Sequence, residues 1–251
     1  MIAEEPLAGG GVNEVVRAGD TVRRPAAPWT PAVHGLLTHL AARGFTGAPR
    51  AHGLDERGRE ILDYVPGAVA HYPAPPSTWS DATLTAVAAL LRDYHDATIG
   101  YVPPAGARWQ FAPKEPAEVV CHGDVAPYNC VFRDGVPVAF IDFDTAHPAP
   151  RLWDVAHAAY RFVPITLGGH GEEPLPVAEQ IRRLRLFCDA YGLPEADRRA
   201  LPGTLVRVLH GLARHIRERA AAGDAAFAAH LADGHPELYL ADARHVQRYA
   251  F

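Results

Sequence analysis

The chain has 251 residues, enough for one large domain or two small lobes around a substantial core. With 48% hydrophobic residues, 21% charged residues and a net charge of -5, the composition is that of an ordinary globular protein and lacks the clustered positive charge that a nucleic-acid partner demands. No apolar run approaches the length needed to cross a bilayer, and the opening MIAEEPLAGGG has neither the basic start nor the apolar core of a signal peptide, so the sequence reads as cytoplasmic, with no membrane partner.

In chain order, the first feature is the glycine run Gly9, Gly10 and Gly11, whose backbone amides could cradle phosphates or serve as a flexible lead-in. Two β-branched runs follow, Val15 to Arg17 and Thr21 to Arg24, around the turn signal Ala18-Gly19-Asp20, and predict a hairpin. Thr30 and Pro31 then open an amphipathic helix with Val33, Leu36, Leu37 and Leu40 on one face, ended by Gly44. Two further strands are expected around the polar turn DERGR, leaving at DYVPG. These elements make a small sheet plus one helix, residues 1–66, expected to form an N-terminal nucleotide-binding lobe.

The Pro-rich VPGAVAHYPAPPS reads as the crossing into a second, larger lobe, residues 67–251. There Ser80 caps a helix that turns Leu84, Val87, Leu90, Leu91 and Tyr94 to one side, and beyond Trp153 the pattern is almost entirely helical. The fold class is α+β with two unequal lobes. The three cysteines, Cys121, Cys130 and Cys188, read as reduced thiols filling apolar space, and no pair has zinc-ligand spacing.

Between the helical stretches, VVCHGDVAPYNCVFRDGVPVAFIDFD brackets two apolar strands with polar groups that are costly to bury unpaired. Asp134-Gly135 is a two-residue hairpin signal; if Arg133 pairs with Val136, Asn129 falls opposite Phe140 and shares a face with Asp142 at the open end. An amide oxygen and a carboxylate held together suit magnesium, which takes few protein oxygens and completes its shell with water and phosphate. Asp124, on the loop before Asn129, is placed to accept a proton from a substrate hydroxyl. His122 reads as a core histidine bonded to backbone.

HGDVAPYNCVF followed by AFIDFD resembles the aminoglycoside phosphotransferase family of kinase-like enzymes, whose pattern is HGDxxxxN and then an apolar run ending in Asp. The resemblance implies a protein-kinase-like two-lobe fold that moves the γ-phosphoryl of ATP or GTP to a hydroxyl of a small molecule, with an aminoglycoside or another antibiotic among the candidate acceptors. It implies Asp124 as catalytic base, Asn129 and Asp142 as Mg2+ ligands, Asp154 as a brace under the catalytic loop, and Asp63, Tyr64 and Val65 as the backbone that meets the base of the nucleotide. Such enzymes use a lysine of the third strand on the phosphates and a helix glutamate to hold it. Here Lys114 is the one lysine and lies far downstream, so Arg23 is expected in that role with Arg24 as second choice, and the first helix carries no glutamate, only Val33 or His34 near its place. These two losses raise a rival reading, a nucleotide-binding protein with weak or no transfer.

Overall fold

The computed structural model describes residues 3–7, 15–168 and 174–248. Its N-terminal part is a five-stranded antiparallel sheet in the order β1-β2-β3-β5-β4: β1 (Glu4–Pro6), β2 (Val16–Ala18), β3 (Thr21–Pro25), β4 (Ala51–Leu54) and β5 (Arg59–Asp63). Helix α1 (Thr30–Ala42) joins β3 to β4, with Val33, Leu36, Leu37 and Leu40 buried as the periodicity requires. Thr30 is already helical rather than the cap; its Oγ1 instead accepts from Ala27 N–H at 2.9 Å, which fixes the entry to the helix. Strand β1 was not legible, because a three-residue, fully exposed edge strand carries no alternation.

Register in this sheet sends the two arginines of β3 to opposite faces. Val22 stands opposite Leu62 and Arg24 opposite Glu60, so on that face two ionised side chains continue an apolar pair into the interior. Arg23 stands opposite Ile61 on the other face.

The rest of the chain is mainly helical. Helix α2 (Asp81–Thr98) is capped by Ser80, whose Oγ accepts from Thr83 N–H at 3.1 Å, and buries Leu84, Val87, Leu91 and Tyr94 completely. Strands β6 (Val119–Cys121) and β9 (His147–Ala149) pair antiparallel, enclosing the hairpin of β7 (Cys130–Arg133) and β8 (Val136–Phe140). Helices α3 (Arg151–Phe162), α4 (Val177–Tyr191), α5 (Glu195–Ala221), α6 (Ala225–Ala232) and α7 (His235–Val246) follow, with α5 against α3 and α7, and α4 against α2. One apolar core runs from α1 through α2 to α3, α4, α5 and α7. No helix among the described residues is long and apolar enough to cross a membrane.

The β7–β8 hairpin turns at Asp134 and Gly135, both at positive φ, as its sequence requires. Its register is corrected by one residue at the open end. Arg133 does pair with Val136, but beyond a bulge between Val131 and Phe132 the pairs become Val131 with Ala139 and Cys130 with Phe140. Asn129 therefore faces Ile141, whose N–H donates to the Asn129 carbonyl at 2.9 Å, and not Phe140. Pro137 has no N–H to give the ladder, and the extra residue beside it, Val138, is where the strand slips.

Two contacts hold this hairpin and its flanking loop in place. After β5 the chain passes Gly67 at φ 147, and Ala68 forms a pair of backbone bonds with Phe132 at 3.0 and 2.7 Å. A Cβ on Gly67 would meet Val131 Cγ1 at 2.5 Å and Phe132 O at 2.6 Å. On the other side, Asp154 in the first turn of α3 is fully buried and accepts from His122 N–H at 2.7 Å, Gly123 N–H at 3.0 Å and His95 Nε2 at 3.1 Å. His95 Nδ1 accepts in turn from Tyr191 OH at 2.7 Å, so the imidazole is a neutral link between α2, α4 and α3. Burial alone would raise the Asp154 pKa, but the hydrogen bonds from His95 and from the backbone N–H donors outweigh it and hold it down to about 2.

Gly67→Ala is expected to cost about 2 kcal/mol or more in urea unfolding, from a backbone angle and a contact that alanine cannot share; unchanged stability would mean that the linker is not docked on the hairpin. Asp154→Asn is expected to cost about 3–5 kcal/mol at pH 7. Because the folded-state pKa of Asp154 lies below the unfolded one, this contribution is present above about pH 4 and fades as pH falls toward the folded value. The stability gap between wild type and variant should narrow between pH 4 and pH 3, and a constant gap would mean that the charge of Asp154 is not what the fold uses.

Candidate active site

The loop from β6 to β7 carries the candidate base. Gly123 sits at φ 86 with Thr145 O where a Cβ would lie at 2.5 Å, so the HGD turn can be made only by glycine. His122 is fully buried; its Nε2 donates to Ile141 O at 3.0 Å and its Nδ1 accepts from Asp124 N–H at 3.3 Å. The expectation of a core histidine bonded to backbone holds, and the bonds specify the neutral Nε2-protonated tautomer. Thr145 Oγ1 closes the same loop on His122 O at 2.9 Å.

Each carboxylate oxygen of Asp124 is held by one donor: Oδ1 by Tyr128 OH at 3.0 Å and Oδ2 by Asn129 Nδ2 at 2.8 Å. The side chain is 27% exposed, so its outer lone pairs face solvent. His157 Nε2 stands 3.5 Å from Oδ1, and burial pushes the His157 pKa down to about 4, keeping the ring neutral. Asn129 also donates Nδ2 to Asp124 O at 3.1 Å, which turns its Oδ1 away from the loop, without a partner among the described residues.

Asp142 follows the hairpin at φ 62 and ψ 69, a left-handed conformation that aspartate tolerates better than most side chains and that re-aims it after the register slip. Its side chain is about half exposed. Arg24 Nη1 reaches Asp142 Oδ1 at 2.8 Å, Nη2 reaches Asp144 Oδ1 at 2.6 Å, and Nε bonds Glu60 Oε1. Glu60, from β5, is itself bonded by His34 Nε2 of α1 at 2.9 Å. Burial disfavours the Arg24 cation, but Asp142, Asp144 and Glu60 together raise its pKa above the ordinary arginine value. Burial pushes the Asp144 carboxyl up to about 6 despite Arg24.

The buried position beside Asp142 and Asp144 thus belongs to Arg24. Arg23, the first choice from sequence, bonds its own neighbours Thr21 Oγ1 and Val22 O on the opposite face. Glu60 and His34 together supply the support that a helix glutamate would give. Glu60 was not anticipated from sequence, although its spacing from Leu62, matching that of Arg24 from Val22, was a signal that both would be drawn into the interior. At the end of β5, Tyr64 N–H already donates to Asp20 O at 2.9 Å, and Asp63 is bonded by His52 Nε2 at 2.7 Å, so those groups serve the sheet. Val65, next along, has no backbone bond among the described residues. Gly9, Gly10 and Gly11 lie outside the described residues.

The side-chain oxygens of Asn129, Asp142 and Asp144 are hard donors, the kind that suits magnesium better than a softer metal. The other cluster of ligand-type side chains among the described residues, His95, Cys121 and Asp154, is wholly buried and occupied as the brace under the loop.

Residues 105–201, which include Asp124, Asn129 and Asp142, match the family model of the phosphotransferase enzyme family, APH. The trifolitoxin immunity protein of Rhizobium leguminosarum bv. trifolii is 34% identical over 223 residues, covering 85% of this chain and 84% of that protein. Among solved structures, a choline/ethanolamine kinase family protein from Mesorhizobium loti superposes with a TM-score of 0.66 at 16% identity, over 98% of this chain and 88% of that one. An amicoumacin kinase in complex with AMP-PNP, Ca2+ and Ami gives 0.64 at 14% identity, over 94% and 87%. The GDP complex of aminoglycoside 2'-phosphotransferase-IIIa gives 0.61 at 14% identity, over 98% and 94%. These structures show the kinase-like fold, and the relative at 34% identity, together with the matched catalytic segment, shows the lineage: the chain belongs to the phosphotransferase enzyme family.

Proposed function

We propose that this protein transfers the γ-phosphoryl group of ATP or GTP to a hydroxyl of a small molecule. The observation that carries the reading is Asp124, whose two oxygens are each fixed by one donor while their outer lone pairs remain open to a substrate, beside the carboxylates gathered at Arg24. The acceptor hydroxyl hydrogen-bonds Asp124, its oxygen forms the new bond to γ-phosphorus, and its proton passes to the carboxylate. The bond between γ-phosphorus and the bridging oxygen breaks, and its electron pair leaves with the nucleoside diphosphate. Magnesium held by Asn129 Oδ1, Asp142 and Asp144 would offset charge on the phosphates.

Arg24 serves as the phosphate-side cation in place of lysine, a phosphate oxygen taking the place of Asp142 at Nη1 while Nε stays on Glu60. His157 is neutral and presses on Asp124 without neutralising it. A nucleotide donor, together with buried free thiols at Cys121, Cys130 and Cys188, suits the cytoplasm. The trifolitoxin immunity relative and the antibiotic-bound amicoumacin kinase support a protective role, the modification of a hydroxylated toxic compound. The rival reading, a nucleotide-binding protein without transfer, draws on the Arg24 pairs to Asp142 and Asp144, for which a magnesium nucleotide must compete.

Asp124→Asn is expected to lower transfer by roughly 10²–10⁴-fold with nucleotide affinity little changed, measured by diphosphate release across a panel of hydroxylated antibiotics, sugars and amino alcohols; equal turnover by the variant would remove Asp124 from the base role. Arg24→Ala is expected to raise the nucleotide KM by about tenfold or more, Arg24→Lys to recover part of it, and Arg23→Ala to leave it within about twofold. The reverse order for the two arginines would return the phosphate role to Arg23.

A further inference from the structure

Helix α3 carries a cation that the transfer chemistry does not use. Arg161 lies one turn beyond His157 and is 7% exposed. Its Nη2 donates to Tyr239 OH at 3.0 Å, tying α3 to α7, while its Nε, fully buried, has no acceptor. Among the described residues no carboxylate comes within ion-pair distance of it. The guanidinium carbon lies 5.4 Å from the ring centre of Tyr160, 5.6 Å from Tyr239 and 5.9 Å from Tyr128. Tyr128 is also the residue whose hydroxyl holds Asp124 Oδ1. The cation therefore stands next to the catalytic loop, on the α3–α7 side.

An arginine keeps its charge at any working pH and carries five N–H donors, of which one neutral phenol uses one. Burying such a group without a counter-charge is costly, and aromatic faces return only part of that cost. The acids around it pair with other groups: Asp242 Oδ2 accepts from Tyr160 OH at 2.8 Å and Oδ1 from Leu167 N–H at 2.9 Å, and Asp124, whose charge favours the cation from farther off, accepts from Tyr128 and Asn129. Acidic side chains that could serve a polycationic acceptor are committed elsewhere, Asp189 to Arg198 and Asp224 to Arg219. Glu172 and Glu173 lie outside the described residues.

We propose that Arg161 is the anion anchor of the acceptor site, and that the acceptor is a hydroxyl compound bearing a carboxylate, which lies along the guanidinium against the tyrosine faces and presents its hydroxyl to Asp124. This rests on the phosphotransfer reading for the hydroxyl, but the anion site stands on the geometry of Arg161 alone.

The test uses matched sets built on one alcohol: mandelate, mandelamide and 2-amino-1-phenylethanol, and N-acetylserine with its amide and with serinol. Binding to the full-length protein is read by calorimetry with magnesium and a non-hydrolysable nucleotide, and transfer by diphosphate release with ATP and GTP. The acids are expected to bind and react roughly tenfold or more better than their amides and amines, and Arg161→Gln to collapse that ratio toward one, with Arg161→Lys between. Acids that bind through Arg161 with no transfer to any compound would keep the anion site and sink the phosphotransfer reading. Transfer to amines or amides with the acids neither bound nor used would sink the anion site and keep the phosphotransfer reading. If Arg161→Gln does not fold, the wild-type ratio alone decides, since a preference for amide or amine over acid overturns the proposal.

Discussion

The organisation of this protein turns on one buried cation with three acidic partners. Arg24 is drawn into the interior because it stands on the same face of β3 as Val22, and once there it must be balanced. Glu60 comes from the neighbouring strand, while Asp142 and Asp144 come from the middle of the chain, at 118 and 120 residues' separation. A single guanidinium thereby ties the N-terminal sheet to the segment after the β7–β8 hairpin. Replacing lysine by arginine at such a node changes its geometry: a planar fork can hold three acids at fixed angles, which a single ammonium point charge cannot do as rigidly.

Below that node the segment is held by a neutral imidazole, His122, and a buried carboxylate, Asp154. His122 spans from Asp124 N–H to Ile141 O, so the loop bearing the base and the segment leading to Asp142 share one imidazole. Asp154 fixes the same loop from beneath through two backbone N–H groups. The Asp124 side chain has three partners, Tyr128, Asn129 and His157, and its backbone N–H is bonded to His122.

The parts of this arrangement that were legible in the sequence are those encoded locally. The cap of α2, the apolar faces of α1 and α2, the Asp134-Gly135 turn, and the order of Asp124, Asn129 and Asp142 all follow from residues close in the chain. What escaped depends on strand register or on distant partners. The one-residue slip at Val138 moved Asn129 opposite Ile141, and counting from the turn could not foresee it, although Pro137 was the warning. The choice between Arg23 and Arg24 is a choice of face, and it needed β5 as the reference strand. Strand β9 has only His147, Pro148 and Ala149, too few and too mixed to signal a strand until β6 is there to pair with it.

If Arg24 meets the phosphates as proposed, an arginine there also alters how this protein meets covalent chemistry. A lysine amine held against nucleotide phosphates is a nucleophile once it sheds its proton, which is why nucleotide analogues carrying an activated acyl group at the phosphate end can be captured there. The Arg24 guanidinium, held in its charged form by three carboxylates, offers no such lone pair. A reagent of that kind should bind and leave it unmodified, and Lys114, the one lysine in the sequence, packs its Nζ over the Trp153 ring at 4.8 Å.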